Sequence, residues 1–326
     1  MKLAWILFFA SAASAQWQQV IDAAKKEGTV VFYSAAVGAP ATAKIQAAFK
    51  AKYGITMEVL QARSSELTER IRTEQVSGKR LGDVSHNGAS VTERQLSDGV
   101  FMPYGTLPNV ARLASQFPTD GTRVPVYLIH FGILANTSLV KTSDEPKSWQ
   151  DLLDPKWKGK ILSDDMRALG SGSALFTATH EKLGRQFHER LAAQQLEFTR
   201  DVRGSQRRIA RGEYPLFIPF NVADILTLKG LPVKFIVPEE GAVYVVFDCA
   251  ILKGAPHPNA ARLLLDFMLS DEVQLIYANT GYGMAVSGLE SKLSPEIRQL
   301  SSVKLLGTSI MKLQDKMLEL AQQIYH

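Results

Sequence analysis

Cysteine is almost absent: the 326 residues contain one, Cys249, so no intrachain disulfide and no cysteine-based metal cluster can form. Cys249 lies in the apolar run Val243–Leu252, where a buried structural thiol is the expectation. Apolar runs long enough to span a bilayer are missing as well, since Leu3 to Ala10 is too short and no later stretch exceeds it. No single sign of charge dominates. Lys and Arg number 37 against 32 Asp and Glu, and the two signs are scattered without the basic stripe that nucleic-acid binding needs. Also lacking are Gly-x-Ser-x-Gly, His-Glu-x-x-His and Gly-x-x-x-x-Gly-Lys-Ser/Thr, which argues against a nucleophile elbow, a zinc-protease helix and a P-loop. Gly170-Ser-Gly-Ser173 does not flank a central serine at the elbow spacing. There is no internal repeat and no low-complexity tract.

What is present begins with a basic Met1-Lys2, the apolar run Leu3 to Ala10 and the small-x-small triplet Ala13-Ser14-Ala15. Together they read as a secretory signal peptide over 1–15, giving an exported chain that starts at Gln16. No cysteine follows the triplet, so a lipid-anchored form is not expected. Removing the leader takes Lys2 away and lowers the formal charge from +5 to +4. The remaining 311 residues (326 minus 15) exceed what one hydrophobic core usually organises, which favours two lobes.

From Gln16 to about Leu128, strand and helix patterns alternate as in a doubly wound sheet. Thr29 to Tyr33 reads as a buried strand, Ala41 to Tyr53 as an amphipathic helix, Ile55 to Leu60 as a strand and Glu66 to Ser77 as a helix. A third strand at Asp83-Val84 runs out at Ser85-His86-Asn87-Gly88. Ligands of open α/β sheets sit beyond the carboxyl ends of strands, so Ser34, Arg63, Ser64, His86 and Asn87 are candidate ligand contacts.

The stretch Pro146 to Ser173 organises the middle of the chain. A short helix carrying Trp149, Leu152 and Leu153 is stopped by Pro155, and a turn at Gly159 leads into a strand from Lys160. The loop Asp164 to Gly172 then opens a helix near Ser171. Free N–H groups at that helix start, beside Ser171, Gly172 and Ser173, predict an anion or polar-ligand cradle with Arg167 as a charge partner.

The run Ser148-Trp-x-Asp-Leu-Leu-Asp-Pro-Lys-Trp-Lys-Gly-Lys-Ile161 with its Ser/Gly helix start resembles the type II periplasmic solute-binding proteins of ABC importers, in the group that includes ferric-ion binders. Arg211 to Leu216, Lys253 to Ala261 and Thr280 to Gly283 carry the same resemblance in the same order. It implies an α/β, two-lobed type II fold, each lobe a mixed sheet flanked by helices, joined by two hinge strands. The strand Val124 to Asn136 would cross between lobes and Gly241 to Ile251 return, giving a first lobe of 16–130 and 243–326 and a second of 131–242. Tyr127 and Tyr244 would then lie in the hinge strands, and Ser205 and Asn221 in turns of the second lobe. The apolar stripe of the helix Thr308 to Tyr325 is expected to pack on the first lobe.

Ferric binders of this group carry adjacent tyrosines where this chain has Phe220-Asn221, which argues against iron, although Tyr33, His86, Tyr127 or Tyr244 could supply ligands. The resulting expectation is a periplasmic, monomeric receptor, not an enzyme and without a cofactor. It would bind a small anionic or polar organic solute between its lobes and deliver it to an ABC permease. A Fe(III)-binding protein of the same family is the alternative, and a secreted enzyme or a sensor-linked binding module lies outside it.

Overall fold

A computed structural model describes residues 2–117 and 120–326, with the backbone alone over 2–14. Of the expected leader over 1–15, Met1 lies outside the described residues, and the backbone of 2–14 is the first part of a helix, α1, Lys2–Glu27. The chain then alternates β1 Thr29–Ser34, α2 Pro40–Tyr53, β2 Thr56–Gln61, α3 Ser64–Ser77, β3 Val84–Gly88 and α4 Ala89–Ser97. After the short β4, Phe101–Met102, comes the 14-residue β5, Arg123–Asn136. Next are β6 Ile161–Asp164, α5 Ser171–Ala192, β7 Glu197–Thr199, α6 Val202–Ala210, β8 Leu216–Asn221 and β9 Val233–Ile236. The last third holds β10 Ala242–Leu252, α7 Pro258–Met268, α8 Asp271–Asn279, β11 Gly283–Met284, α9 Pro295–Ser301, β12 Leu305–Gly307 and α10 Gln314–Ile324. No helix among the described residues is long and apolar enough to cross a membrane.

The chain divides into two compact units. The first comprises 1–127, 247–277 and 284–292. β1 is flanked in parallel by β2 and β3, and the far half of β10 runs antiparallel to β3. β1 is rich in β-branched and aromatic residues because α/β strands of this kind are covered on both faces; Val30, Phe32 and Tyr33 are all buried. α2 and α3 stop at Gly54 and Gly78, whose φ of 75° and 73° only glycine adopts cheaply. Glu27 at the end of α1 accepts from the backbone of Asn259 and Ala260 at 3.2 and 2.7 Å, tying that helix to the start of α7.

The second unit comprises 128–246, 278–283 and 293–326. Here β6 pairs in parallel with β7 and β8, and β8 runs antiparallel to β5. The Trp149 stretch is a corner piece of this unit. It forms two 3-10 turns, Gln150–Leu153 and Pro155–Trp157, in place of the expected short helix. Asp151 accepts from the backbone of Lys147 and Ser148, Asp154 from that of Lys156, and Trp149 Nε1 donates to Gly241 O at 3.0 Å. Trp149, Leu152, Leu153 and Trp157 thereby enter a core shared with Phe176, Phe187 and Leu216.

The division differs from the expected lobes at the tail. Residues 293–326 belong to the second unit, and α10 buries Met317, Ala321 and Ile324 in the core that contains Phe176, instead of packing on the first lobe. An amphipathic stripe says that a helix docks but carries nothing about which surface receives it. The strands that run through both units change unit at 127/128 and 246/247, a few residues from the expected 130/131 and 242/243.

Candidate functional site

In the first unit the parallel register sets Ser34 level with Gln61 and with His86, so the carboxyl ends of β1, β2 and β3 form one edge. Each strand leads directly into a helix: α2 after Ala39, α3 after Arg63, α4 after Gly88. The N-cap residues of α2 and α4 make no side-chain cap hydrogen bond; at α2 position 40 is proline and the Thr42 N–H bonds Ala39 O at 3.1 Å, so the start of α4 is the one that offers first-turn N–H groups. At α3, Glu66 accepts from the Arg63 N–H at 3.2 Å. Arg63 is exposed and its guanidinium has no carboxylate partner among the described residues, while Ser64 is half-buried in the first turn of α3.

Behind this edge lie the other candidates of the first unit, and they are interior. The strand expected to end before Ser85 continues to Gly88, so His86 and Asn87 are within β3 and buried. Ser34 Oγ lies 2.8 Å from His86 Nδ1 and accepts from the Ala36 N–H at 3.2 Å. The imidazole is boxed by Phe32, Tyr127 and Phe247 at ring distances of 5.2, 5.5 and 5.2 Å. Burial drives its pKa down to about 3, so it is neutral, and its Nε2 is buried without a hydrogen-bond partner. Tyr127 is 1 % exposed and stacks on Phe247 at 4.9 Å. These residues pack behind the edge and are buried.

In the second unit β6, β7 and β8 also end along one edge, with Asp164 level with Thr199. At the start of α5, where the sequence suggests a cradle, the chain places its own carboxylate. Asp164 Oδ2 accepts from Ser171 Oγ at 2.7 Å and from the Gly172 N–H at 2.8 Å. A side chain at position 172 would run into the backbone of Asp164 and Asp165. Ser173 Oγ closes the turn by accepting from Gly170 N at 3.1 Å and donating to Gly170 O at 3.0 Å. Arg167 is likewise engaged internally, with Asp165 at 2.8 Å, Tyr325 O at 3.1 Å and the Phe198 ring 4.6 Å away. The Arg167 hydrogen bonds hold the Asp165 carboxyl below its ordinary pKa.

Ser205 is buried and donates to Asp201 O at 2.7 Å, a local helix bond. Asn221 caps the 3-10 turn Val222–Thr227 by accepting from Ala223 N and donating to Asp224 Oδ1, both at 3.2 Å. Asp224, which sequence reasoning passed over, also accepts from Gln206 Nε2 at 2.6 Å, and burial raises its pKa. Its signal was a carboxylate three residues after Asn221 at a strand end, a pattern too common to single out. Tyr244 is half-buried, and burial raises its pKa too.

Tyr33 is 1 % exposed, donates to Glu74 at 2.6 Å, accepts from Arg70 at 3.0 Å, and burial pushes its pKa up to about 12, far from a phenolate. No group of three or more His, Cys, Asp or Glu among the described residues could hold a metal ion. Cys249 is buried and its thiol is pushed well above its ordinary pKa by burial, as a structural thiol would be.

Residues 85–312 match the family described as bacterial extracellular solute-binding protein. Over 307 residues the chain is 26% identical to an uncharacterised protein of Haemophilus influenzae, covering 90% of this chain and 88% of the other. It is 22% identical over 255 residues to a putative 2-aminoethylphosphonate-binding periplasmic protein of Salmonella typhimurium, covering 73% of this chain and 72% of that one. Among solved structures it resembles ferric iron-binding protein A of Mannheimia haemolytica in an open conformation, with a TM-score of 0.75, 17% identity and coverage of 91% and 98%.

Proposed function

The chain belongs to the bacterial extracellular solute-binding protein family, the solute receptors of ABC transporters, and we propose that its own solute is a small organic anion of the phosphonate or phosphate-ester class. The observation that carries this reading is the edge of the first unit. Three parallel strands deliver Ser34, Arg63 and Gly88 to one side, the starts of α2 and α4 have no side-chain cap, and Arg63 has no carboxylate partner among the described residues. Uncapped helix starts and a guanidinium complement a tetrahedral oxyanion by directed N–H donors and by charge. The name of the Salmonella relative, a putative aminoethylphosphonate binder, supports the same class. On this reading the receptor works in the periplasm, after removal of residues 1–15, and hands its solute to permease subunits.

The site is smaller than the thirteen residues expected from sequence. Arg63, Ser64 and the α4 start at Gly88–Ser90 make direct contact; Ser34, His86, Asn87 and Tyr127 support them. On this reading Ser171, Gly172, Ser173 and Arg167 serve stability, supported by their hydrogen bonds to Asp164 and Asp165 and within the α5 turn.

A thermal-shift and calorimetric screen of ligand-stripped protein tests the proposal, with 2-aminoethylphosphonate, other alkylphosphonates, phosphate esters, carboxylates, Fe(III)-citrate and neutral sugars as probes. A ligand bound by the folded state alone stabilises it by about 2.7 kcal/mol at a hundredfold excess over Kd. The expected result is stabilisation by phosphonates or phosphate esters. Stabilisation by Fe(III)-citrate or a neutral sugar alone overturns the reading.

A further inference from the structure

Two buried oxygens without hydrogen-bond partners belong to paired positions of the β3–β10 ladder. Asn87 and Asp248 are direct register partners of this antiparallel pair, so their side chains leave the same face of the sheet. Asn87 is 0 % exposed and its Oδ1 has no hydrogen-bond partner; Asp248 is 2 % exposed and its Oδ2 has none. Two acceptors cannot satisfy each other without a hydrogen between them, and leaving both unmade in the interior is expensive.

The rest of the network shows where that hydrogen belongs. Asn87 Nδ2 donates to Ser85 Oγ at 3.1 Å, Ser85 Oγ donates to Gln95 Oε1 at 3.3 Å, and Gln95 Nε2 donates to Thr68 Oγ1 at 3.1 Å. Every bond in this chain points the same way, from β3 through α4 to α3, and it lacks one donor at the Asn87 end. We propose that Asp248 is a protonated carboxylic acid whose O–H donates to Asn87 Oδ1, completing the chain, and that it acts as a positioning residue for the anion-binding edge. Asn87 immediately precedes Gly88, the N-cap of α4, and Thr92 Oγ1 of that helix reaches back to Gly88 O at 3.4 Å. The inference thus rests on the reading of that edge for its consequence on binding, but not for the protonation state itself.

Burial favours the neutral form of Asp248, and the charged groups around it pull in both directions. On β5, Arg123 Nη1 lies 3.5 Å from Asp248 Oδ2 without hydrogen-bond geometry, and its Nε is committed to Asp120 at 3.0 Å. Burial lifts the Asp248 pKa to about 7 against the pull of Arg123, with a smaller contribution from the negative potential of Asp120 and of Glu93 on α4. The opposing arrangement has both amides turned over and an ionised Asp248 accepting from Asn87 and pairing with Arg123.

Infrared difference spectroscopy of the ligand-free protein, with carboxyl-labelled aspartate, separates the two without any solute. The expected result is a protonated carboxyl band in wild type at pH 6 that is missing in Asp248→Asn and fades as pH rises through about 7. Arg123→Gln removes the competing cation and leaves the chain of amides intact, so it should move the fading to higher pH. A missing band, or one that Arg123→Gln does not move, overturns the proposal even if Asp248→Asn fails to fold. Where it folds, Asp248→Asn keeps a donor toward Asn87 and should hold its affinity for 2-aminoethylphosphonate, while Asp248→Ala loses several-fold. Equal loss in both variants overturns the positioning role, whereas no binding by wild type counts against the proposed solute class and leaves the spectroscopic result standing.

Discussion

At the scale of single residues, Arg63 and Asp164 separate ligand binding from stability. Arg63 is exposed, lacks a carboxylate partner among the described residues and stands at the carboxyl end of β2. Arg63→Ala should weaken phosphonate binding by about 1.5–3 kcal/mol, the range for a hydrogen bond to a charged group, with an unchanged melting temperature in the absence of ligand. Calorimetry checks it, and unaltered affinity removes Arg63 from the site. Asp164 should behave in the opposite way. Its carboxylate holds Ser171 Oγ and the Gly172 N–H at the start of α5, so Asp164→Ala should lower stability by about 0.5–2 kcal/mol without changing affinity. If that variant gained affinity for free phosphate, the α5 start would be a ligand site after all. Serines, glycines and an arginine at a helix start announce an anion hole in sequence; only the fold reveals that a carboxylate seven residues upstream already fills it.

Among elements, the most consequential placement is that of α10. Its Met317, Ala321 and Ile324 join the core of Trp149, Phe176 and Leu216, and the adjoining Tyr325 hydroxyl meets buried His188 Nδ1 at 2.7 Å. Removal of 314–326 should therefore destabilise the second unit, with hydrogen exchange accelerating over α5 while β1 to β3 stay protected; acceleration spread evenly over both units would show that the helix serves the whole chain. The subtler Tyr325→Phe should cost about 1 kcal/mol through the bond to His188. The elements themselves were largely readable from sequence, because β1, α2, β2 and α3 follow from β-branched runs, helical spacing and the glycines at 54 and 78. β3 was cut short for a physical reason: Ser-His-Asn-Gly is turn chemistry locally, and what makes it strand is the cover of Tyr127 and Phe247, residues 40 to 160 positions away in the chain. Helix docking partners and caps of this kind depend on contacts distant in sequence, which no local pattern encodes.

At the scale of the whole molecule, buried titrating groups set how stability responds to pH. His86, His130 and His188 are held neutral by burial, with pKa values lowered to about 3, 4 and 3 from an ordinary 6.5. In the unfolded chain they take up protons below about pH 6.5, and in the folded chain they do not, so each withdraws stability as pH falls through that range. Asp248 works against them. Its folded pKa of about 7 lies above the unfolded value of 3.8, so the folded state keeps a proton that the unfolded state releases, and its contribution declines as pH rises from about 4 to about 7. Between about pH 4.5 and 6 the unfolded state thus binds roughly two more protons, three on histidines less one on Asp248, and stability should fall by roughly 3 kcal/mol per pH unit of acidification. Urea melts at pH 7, 6 and 5 measure this slope directly. Stability that rises on acidification instead would mean that the three imidazoles reach solvent in the folded state while Asp248 keeps its proton. In Asp248→Asn the opposing proton is gone, so the acid slope should steepen by about half, toward roughly 4 kcal/mol per unit. That steepening reports in solution, across the entire chain, whether the β3–β10 ladder carries its proton.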